Sequence, residues 1–336
     1  MSIQDILKKI PYCQFLYSLF INIWFTQTRM TKMVFNYNKK RFKRYSGAFN
    51  NSKARDLAYL TWLYHVIEKG LAMPNRRLGF GYEKVRILIN YLNSIEKRYS
   101  IEDFAFITAL SVLFKYLQVH VDNKYELPND IVKNISLLQE KYPLILPLNQ
   151  KKYTPNVFFQ DVNKSFDIFS MSRHSVRHFS GELSVDKIIN SIELAKYAPS
   201  ACNRQPSKVH IVVDKEKIKQ CLALQNGNRG FGYLGDKLLV ITGDLSTVLG
   251  AQEFFDLNTN VGIFIMNLCY CLHFNKIAHC VLNWYALPKE DKKLRRILNI
   301  KENESIVAFI ICGNLPDTFR VVSSPRNPVE DIYYIH

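Results

Sequence analysis

Several patterns that define common protein classes are missing from this chain of 336 residues. Its seven cysteines form an odd set without a C-x-x-C pair, unlike a disulfide framework or a zinc site. A strict G-x-G-x-x-G fingerprint, internal repeats and low-complexity tracts are also absent. We therefore expect a protein of the reducing cytoplasm, with no metal site and with no Rossmann domain to hold a nicotinamide.

A long uninterrupted hydrophobic run is missing near the N-terminus. Residues Pro11 to Phe25 are apolar and aromatic, but Gln14 and Asn22 interrupt them. The stretch falls short of the roughly 20 residues that a membrane-spanning helix needs. No small-residue cleavage pattern follows it, which argues against an exported signal peptide.

Acidic residues are scarce relative to basic ones, and the formal net charge is +16. The first 50 residues hold nine basic side chains and one acidic side chain, and their run Asn38 to Tyr45 mixes basic with aromatic residues. One interpretation is that residues 1–45 lie on the anionic inner face of the cytoplasmic membrane as a peripheral anchor. The other is a buried first helix followed by a solvated basic loop. Nucleic-acid binding is disfavoured, because the chain has no recognised nucleic-acid motif.

Residues 51–150 have the periodicity of an all-helical domain. Apolar side chains recur there at intervals of three and four, and Ile101 to Val119 is apolar on most faces. The first two of four predicted helices carry the apolar positions Leu57, Leu60, Leu63, Ile67, Val85, Leu88, Ile89 and Leu92.

One pair in the first of these helices has the spacing of a metal ligand set. His65 and Glu68 lie three positions apart on one helix face, as in half of a carboxylate metal site. A second E-x-x-H is missing, so a capping and packing role is favoured, and Lys69 and Gly70 are expected to end the helix.

The pattern changes after residue 150. Periodicity fades over residues 151–168, which we interpret as the linker to a second domain at 169–336. Ser184 to Ala198 predicts an amphipathic helix with a serine cap, and Asp256 to Leu272 predicts a helix buried in a core or a subunit interface. Three strands are predicted at Lys208–Asp214, Leu238–Thr242 and Ile306–Cys312. The last two are nearly all apolar, which places them centrally in a sheet.

The segment Ser172-Arg-His-Ser-Val-Arg-His-Phe179 concentrates basic and hydroxyl side chains directly before a helix. Guanidinium groups bind phosphate oxygens in forked pairs, and hydroxyl and backbone N–H groups can complete the shell. Taken alone, the segment could also be a basic surface loop.

The segment Ala198-Pro-Ser-Ala-Cys-Asn-Arg-Gln-Pro206 follows the predicted helix and is rich in small and amide residues. Amide and hydroxyl groups suit the polar edge of an isoalloxazine ring, which needs both donors and acceptors. Taken alone, it could be an ordinary loop capped by proline.

Together, and in this order, the two segments resemble the nitroreductase family, whose hallmark is R-x-S-x-R-x-F, then a helix, then A-P-S-x-x-N-x-Q-P. The resemblance covers residues 169–336 and implies an α+β fold, with a mixed sheet flanked by helices, preceded here by the all-helical N-terminal region. It also implies a homodimer that binds one FMN at each subunit interface and takes electrons from NADH or NADPH.

The resemblance also implies roles for individual residues. One subunit would hold the phosphate, ribityl chain and ring edge of FMN with Arg173, His174, Ser175 and Arg177. The partner would approach the same flavin with Pro199, Ser200, Asn203 and Gln205. Asn228 would lie near the ring or the nicotinamide, and Ser324 and Arg326 would make the last phosphate contact.

These observations favour an FMN-dependent NAD(P)H oxidoreductase. No catalytic residue is predicted, because the flavin carries the redox chemistry and the protein supplies position and electrostatics. The pattern H-x-x-E-K-G-L resembles that of N-terminal helical extensions among proteins of surface-polysaccharide biosynthesis. Two other functions stay open: an oxygen-dependent enzyme that modifies the flavin itself, and a non-catalytic membrane-associated scaffold with a flavin-binding fold.

Overall fold

The computed structural model describes residues 27–336, so the apolar stretch at residues 11–25 lies outside the described part. The helices are α1 Gln27–Tyr45, α2 Lys53–Ala72, α3 Tyr82–Glu96, α4 Phe104–Asp122, α5 Asn129–Lys141, α6 Pro155–Phe158, α7 Phe166–Ser172, α8 Val185–Ala195, α9 Lys215–Leu224, α10 Phe254–Phe274 and α11 Pro288–Leu298. The strands are β1 Lys152–Tyr153, β2 Ser207–Val212, β3 Lys237–Asp244, β4 Ala278–Asn283, β5 Glu304–Gly313 and β6 Phe319–Arg320. The expected α+β class with an all-helical N-terminal region is confirmed.

Helices α2 to α5 pack around one hydrophobic core. The apolar positions expected to face inward do so, and Leu60, Leu88 and Leu113 are fully buried. Helix α4 lies at the centre, because most of its surface is apolar. Among the described residues it is the one helix long and apolar enough to cross a membrane, but 61% of its apolar window is buried inside the protein. We interpret α4 as a core helix.

The glycine near the end of α2 does not act as a cap. The prediction that Lys69 and Gly70 end this helix is wrong, since α2 continues to Ala72 and Met73 is its C-cap. A Cβ atom on Gly70 would lie 2.1 Å from Cε2 of Phe80. Glycine is therefore required for the close approach of the Phe80 ring to the helix.

A four-stranded sheet in the order β2-β3-β5-β4 forms the centre of the second half. The prediction that the two most apolar strands are central is confirmed, since β3 and β5 each have a neighbour on both sides. All strand pairs among residues 27–336 run antiparallel. Both faces of the central strands are covered, which explains their continuous apolar sequence.

Helix α10 covers one face of this sheet. Its inner side packs Val261, Leu268 and Leu272 into the core. Its outer side carries further apolar residues, including Ile263 and Met266, each 40% exposed. The prediction of an apolar helix is therefore correct, and a single chain buries only part of its surface.

Residues 151–168, interpreted from the sequence as a linker, are packed against the second half. Strand β1 pairs with β6, and the ring of Phe158 is buried 5.2 Å from the ring of Phe319. Aromatic burial of this kind fixes a segment in place, because each ring removes a large apolar area from water.

The basic-aromatic run at residues 38–45 is helical and exposed as the last part of α1. The alternative of a basic loop is therefore wrong for these residues. Their basic side chains are nevertheless exposed to solvent, as that alternative predicted. Helix α1 is held by the ring of Phe35, which lies 4.7 Å from the ring of Phe254 at the start of α10.

A buried carboxylate links α2 to α3 and the turn that follows it. Asp56 is 2% exposed and accepts hydrogen bonds from Arg55, Tyr91, Arg98 and Tyr99 at 2.5–3.0 Å. Burial alone would raise the pKa of Asp56, but these hydrogen bonds outweigh it and lower the pKa from 3.8 to about 2.

We expect Asp56→Asn to lower the free energy of unfolding at pH 7 by about 2 kcal/mol, the equivalent of this pKa difference. Because the folded-state pKa is depressed, the stabilisation is complete above pH 3.8 and is lost as the pH falls through about 2. Urea denaturation followed by circular dichroism at several pH values measures this. The exposed Asp122→Asn is the control, and an equal loss in both variants would contradict the role of Asp56.

Candidate functional site

The segment from Ser172 to Phe179 begins with the last residue of α7, and its residues 173–179 form neither helix nor strand before α8. Its backbone is fixed by the N–H of Val176, which donates to the carbonyl oxygen of His279 at 2.9 Å. Val176 and Phe179 point into the core and are buried. Arg173, Ser175 and Arg177 lie beside these two core residues and are only partly exposed.

Two arginine side chains in this segment have unmatched donors. The Nε atom of Arg173 and the Nη1 atom of Arg177 are buried without a hydrogen-bond partner among the described residues. The guanidinium of Arg177 lies 5.8 Å from the ring centre of Phe231, within the range of a cation–π contact. Buried donors of a charged group are costly when unpaired, so both atoms indicate an anionic ligand.

The histidines around these arginines are neutral near pH 7. Burial lowers the pKa of His273 to about 3 and that of His279 to about 4, with further lowering by the charge of Arg173. Burial also lowers the pKa of His174, with smaller contributions from the charges of Arg173, Lys151 and Arg326. The positive charge of the site is thus carried by arginine and lysine.

A buried thiol lies beside the arginines. Cys280 on β4 is 1% exposed, and burial raises its pKa. A hydrogen bond with Ser175 and the charges of Arg177, Lys69 and Arg173 oppose that shift. The thiol remains protonated at neutral pH, so it adds no negative charge to balance the cations.

The helical region contributes directly to this part of the site. An oxygen of the buried Glu68 carboxylate accepts a hydrogen bond from the backbone N–H of Ser324 at 2.8 Å, and its other oxygen lies 3.2 Å from Nδ1 of His65. Ser324 adopts a positive φ of 43°, and the side chain of Arg326 donates back to its carbonyl oxygen. Glu68 therefore fixes the segment that carries Arg326.

This role of Glu68 was missed in the sequence, where His65 and Glu68 were expected to cap and pack. The two side chains do pair on one helix face as their spacing predicts, but the partner that gives the pair its function lies 256 positions away. No pattern in the sequence indicates this contact, because the burial of Glu68 is visible only in the folded chain.

The loop Ala198 to Pro206 is held in an unusual backbone conformation. Cys202, Asn203 and Gln205 have φ values of 51°, 56° and 49°. Such values are uncommon outside glycine and cost free energy, so the surrounding contacts must impose them. One of these contacts is the hydrogen bond from the N–H of Gln205 to Oγ of Ser200 at 3.0 Å.

The two predicted halves of the flavin site line different cavities of this chain. One cavity, of about 620 Å³, has Ser172, His174 and Lys151 in its walls. The other, of about 300 Å³, has Pro199, Ser200 and Gln205 in its walls. The two cavities share no lining residue, and the walls of the first include His174 but not Arg173, Ser175 or Arg177.

Asn228 lines neither cavity and lies in the loop that follows helix α9. Its side-chain amide donates to the carbonyl oxygens of Leu222 and Gln225, each at 2.8 Å. It also forms part of a third cavity of about 470 Å³, together with Lys215 and Arg229. Because its side-chain amide donates to these backbone carbonyls, Asn228 stabilises the loop that follows α9.

Part of this region is similar to known proteins. Residues 171–229 match the family model described as the nitroreductase family. The match includes the arginine segment, α8 and the loop Ala198 to Pro206. No curated protein sequence matches the chain significantly.

Solved structures are similar to about half of the chain. The nitroreductase family protein from Streptococcus pneumoniae TIGR4 is 22% identical over 51% of this chain and 100% of its own, with a TM-score of 0.44. A nitroreductase-like protein from Streptococcus mutans is 20% identical over 50% and 96%, with a TM-score of 0.42. An FMN-dependent nitroreductase from Clostridium difficile R20291 is 17% identical over 50% and 98%, with a TM-score of 0.43.

The unmatched arginine donors predict that an anion stabilises the protein. We expect inorganic phosphate at ten times its dissociation constant to add about 1.4 kcal/mol to the free energy of unfolding, by linkage. Thermal denaturation with phosphate or chloride at matched ionic strength measures the effect.

Arg177→Met is expected to abolish most of this stabilisation, and the exposed Arg296→Met on α11 is the control. Equal stabilisation of all three proteins by phosphate would refute the assignment of the site.

Proposed function

We propose that the chain is an FMN-dependent oxidoreductase that takes electrons from NADH or NADPH. The observation that carries the proposal is the pair of buried, unmatched guanidinium atoms on Arg173 and Arg177. They lie in the segment that matches the nitroreductase family model. The flavin phosphate supplies the anionic oxygens that both donors lack.

The residues of the site fit a phosphorylated flavin. Arg173 and Arg177 would hold its phosphate, with Ser175 between them, and Arg326 would approach it from the C-terminal segment that Glu68 fixes. When bound, FMN accepts a hydride at N5 and passes electrons to an acceptor. The protein's own contribution is to bind and orient the flavin and to maintain neutral histidines around it.

We further propose that the active form is a homodimer. Two observations support it: the predicted flavin-binding segments line separate cavities in one chain, and α10 exposes apolar side chains on its outer face. In a symmetric dimer, the loop with Pro199 and Ser200 of one protomer would meet the arginine segment of its partner. An apolar helix face is also a typical centre for such an interface.

A location at the cytoplasmic face of the membrane is part of the same proposal. The exposed run Lys39 to Tyr45 of α1 carries five basic side chains and two aromatic rings, a composition that suits anionic head groups. A role in surface-polysaccharide biosynthesis is supported only by the resemblance of the H-x-x-E-K-G-L segment at residues 65–71.

For the flavin site, we expect the double variant Arg173→Ala and Arg326→Ala to lose FMN during purification while it retains its fold. Each substitution removes a cation near the phosphate, and two charge-assisted contacts of about 1.5–3 kcal/mol correspond to a large loss of affinity. The absorbance spectrum and circular dichroism of the purified protein report the two quantities. Full flavin occupancy in this variant, with Arg296→Ala as the control, would refute the assignment.

For the dimer, we expect Ile263→Glu to shift the protein toward a monomer, because it introduces a charge at the centre of the exposed apolar face of α10. Sedimentation velocity measures the oligomeric state. The control is Leu137→Glu on α5, which is also an exposed apolar position. A dimer that both substitutions leave intact would show that the interface lies elsewhere.

A further inference from the structure

Lys69 is a half-buried lysine without a carboxylate partner. It lies in the last turns of α2, and no ion pair involves it among residues 27–336. Its neighbour Glu68 is engaged by Ser324 and His65 instead. A partly desolvated ammonium group is stable only where an anion or several acceptors compensate for lost water.

Two contacts place the end of α2 near residues that adjoin Arg326 and Arg177. Glu68 meets the backbone of Ser324 at 2.8 Å. On the other side, the sulfur of Met73 lies 3.5 Å from the position of a Cβ atom on Gly230. Gly230 directly precedes Phe231, the ring against which Arg177 is placed. Glu68 and Met73, on either side of Lys69 in the sequence, thus contact the segment of Arg326 and the residue next to Phe231.

The charges around Lys69 support the same placement. Burial lowers the pKa of Lys69, and the positive charge of Arg177 lowers it further. Lys69, Arg173 and Arg177 all act electrostatically on the buried thiol of Cys280. Three cations therefore lie near one buried thiol that is itself neutral. Such an excess of positive charge calls for a ligand with more than one negative charge.

We propose that Lys69 binds the phosphate of the flavin directly, so that the helical N-terminal region completes the phosphate site. This inference rests on the proposed function and adds a binding residue from outside the segment that matches the nitroreductase family model. A phosphate monoester carries close to two negative charges at neutral pH and has three acceptor oxygens. The ammonium group of Lys69 and the unmatched atoms of Arg173 and Arg177 supply three donors for them.

The test compares FMN with riboflavin, which has the same ring and ribityl chain but no phosphate. Flavin is removed from the full-length protein, and the dissociation constants of both compounds are measured by quenching of flavin fluorescence. We expect Lys69→Met to weaken FMN binding about 10- to 100-fold, the range of a charge-assisted contact, and to change riboflavin binding less than about 2-fold.

Two further variants separate binding from folding. Lys69→Arg retains the positive charge and is expected to retain most of the affinity for FMN. Lys133→Met, at an exposed lysine of α5, is the matched control and is expected to bind both flavins like the wild type. Circular dichroism of each variant shows whether the fold is intact.

The outcomes distinguish this inference from the proposed function. Undiminished binding of FMN by Lys69→Met, or an equal loss for FMN and riboflavin, would overturn the assignment of Lys69 and leave the flavin function in place. A wild-type protein that binds neither flavin would overturn the proposed function and this inference with it.

Discussion

The buried carboxylate of Glu68 is the constraint on which the site depends. It joins α2 to the backbone of Ser324, 256 positions further along the chain. A buried carboxylate without partners would cost several kcal/mol, so the two halves of the chain must meet at this point. Once they do, the segment with Arg326 is fixed against α2. The helical region therefore positions a segment of the candidate site.

The charges of the candidate site favour an anionic ligand. Two guanidinium groups of the arginine segment have buried donors without a partner among the described residues. Burial keeps the nearby His273, His279 and Cys280 neutral. Neutral neighbours neither cancel the positive charge nor add to it. The balance is completed only by an anion from outside the chain. The proposed FMN meets that requirement with its phosphate group.

Local patterns predicted the elements well, and long-range contacts were beyond them. The apolar runs of β3 and β5 gave their central position, because a strand covered on both faces has no reason to alternate. Gly70 was misinterpreted as a helix end, since the ring of Phe80 that requires it comes from another element. The hydrogen bond between Glu68 and Ser324 has no local signature at all. Residue types indicated the arginine site, whereas only the fold shows which donors remain unmatched.

The strain in the loop Ala198 to Pro206 bears on how the site is shared. Three non-glycine residues with positive φ in one short loop cost free energy. Strain of this kind persists where a conformation is needed for binding. In the proposed dimer, the loop is pre-formed to meet the partner's flavin, so less ordering is required when the subunits associate. Under that proposal the separation of the two cavities is explained, because each protomer would supply complementary parts to two different sites.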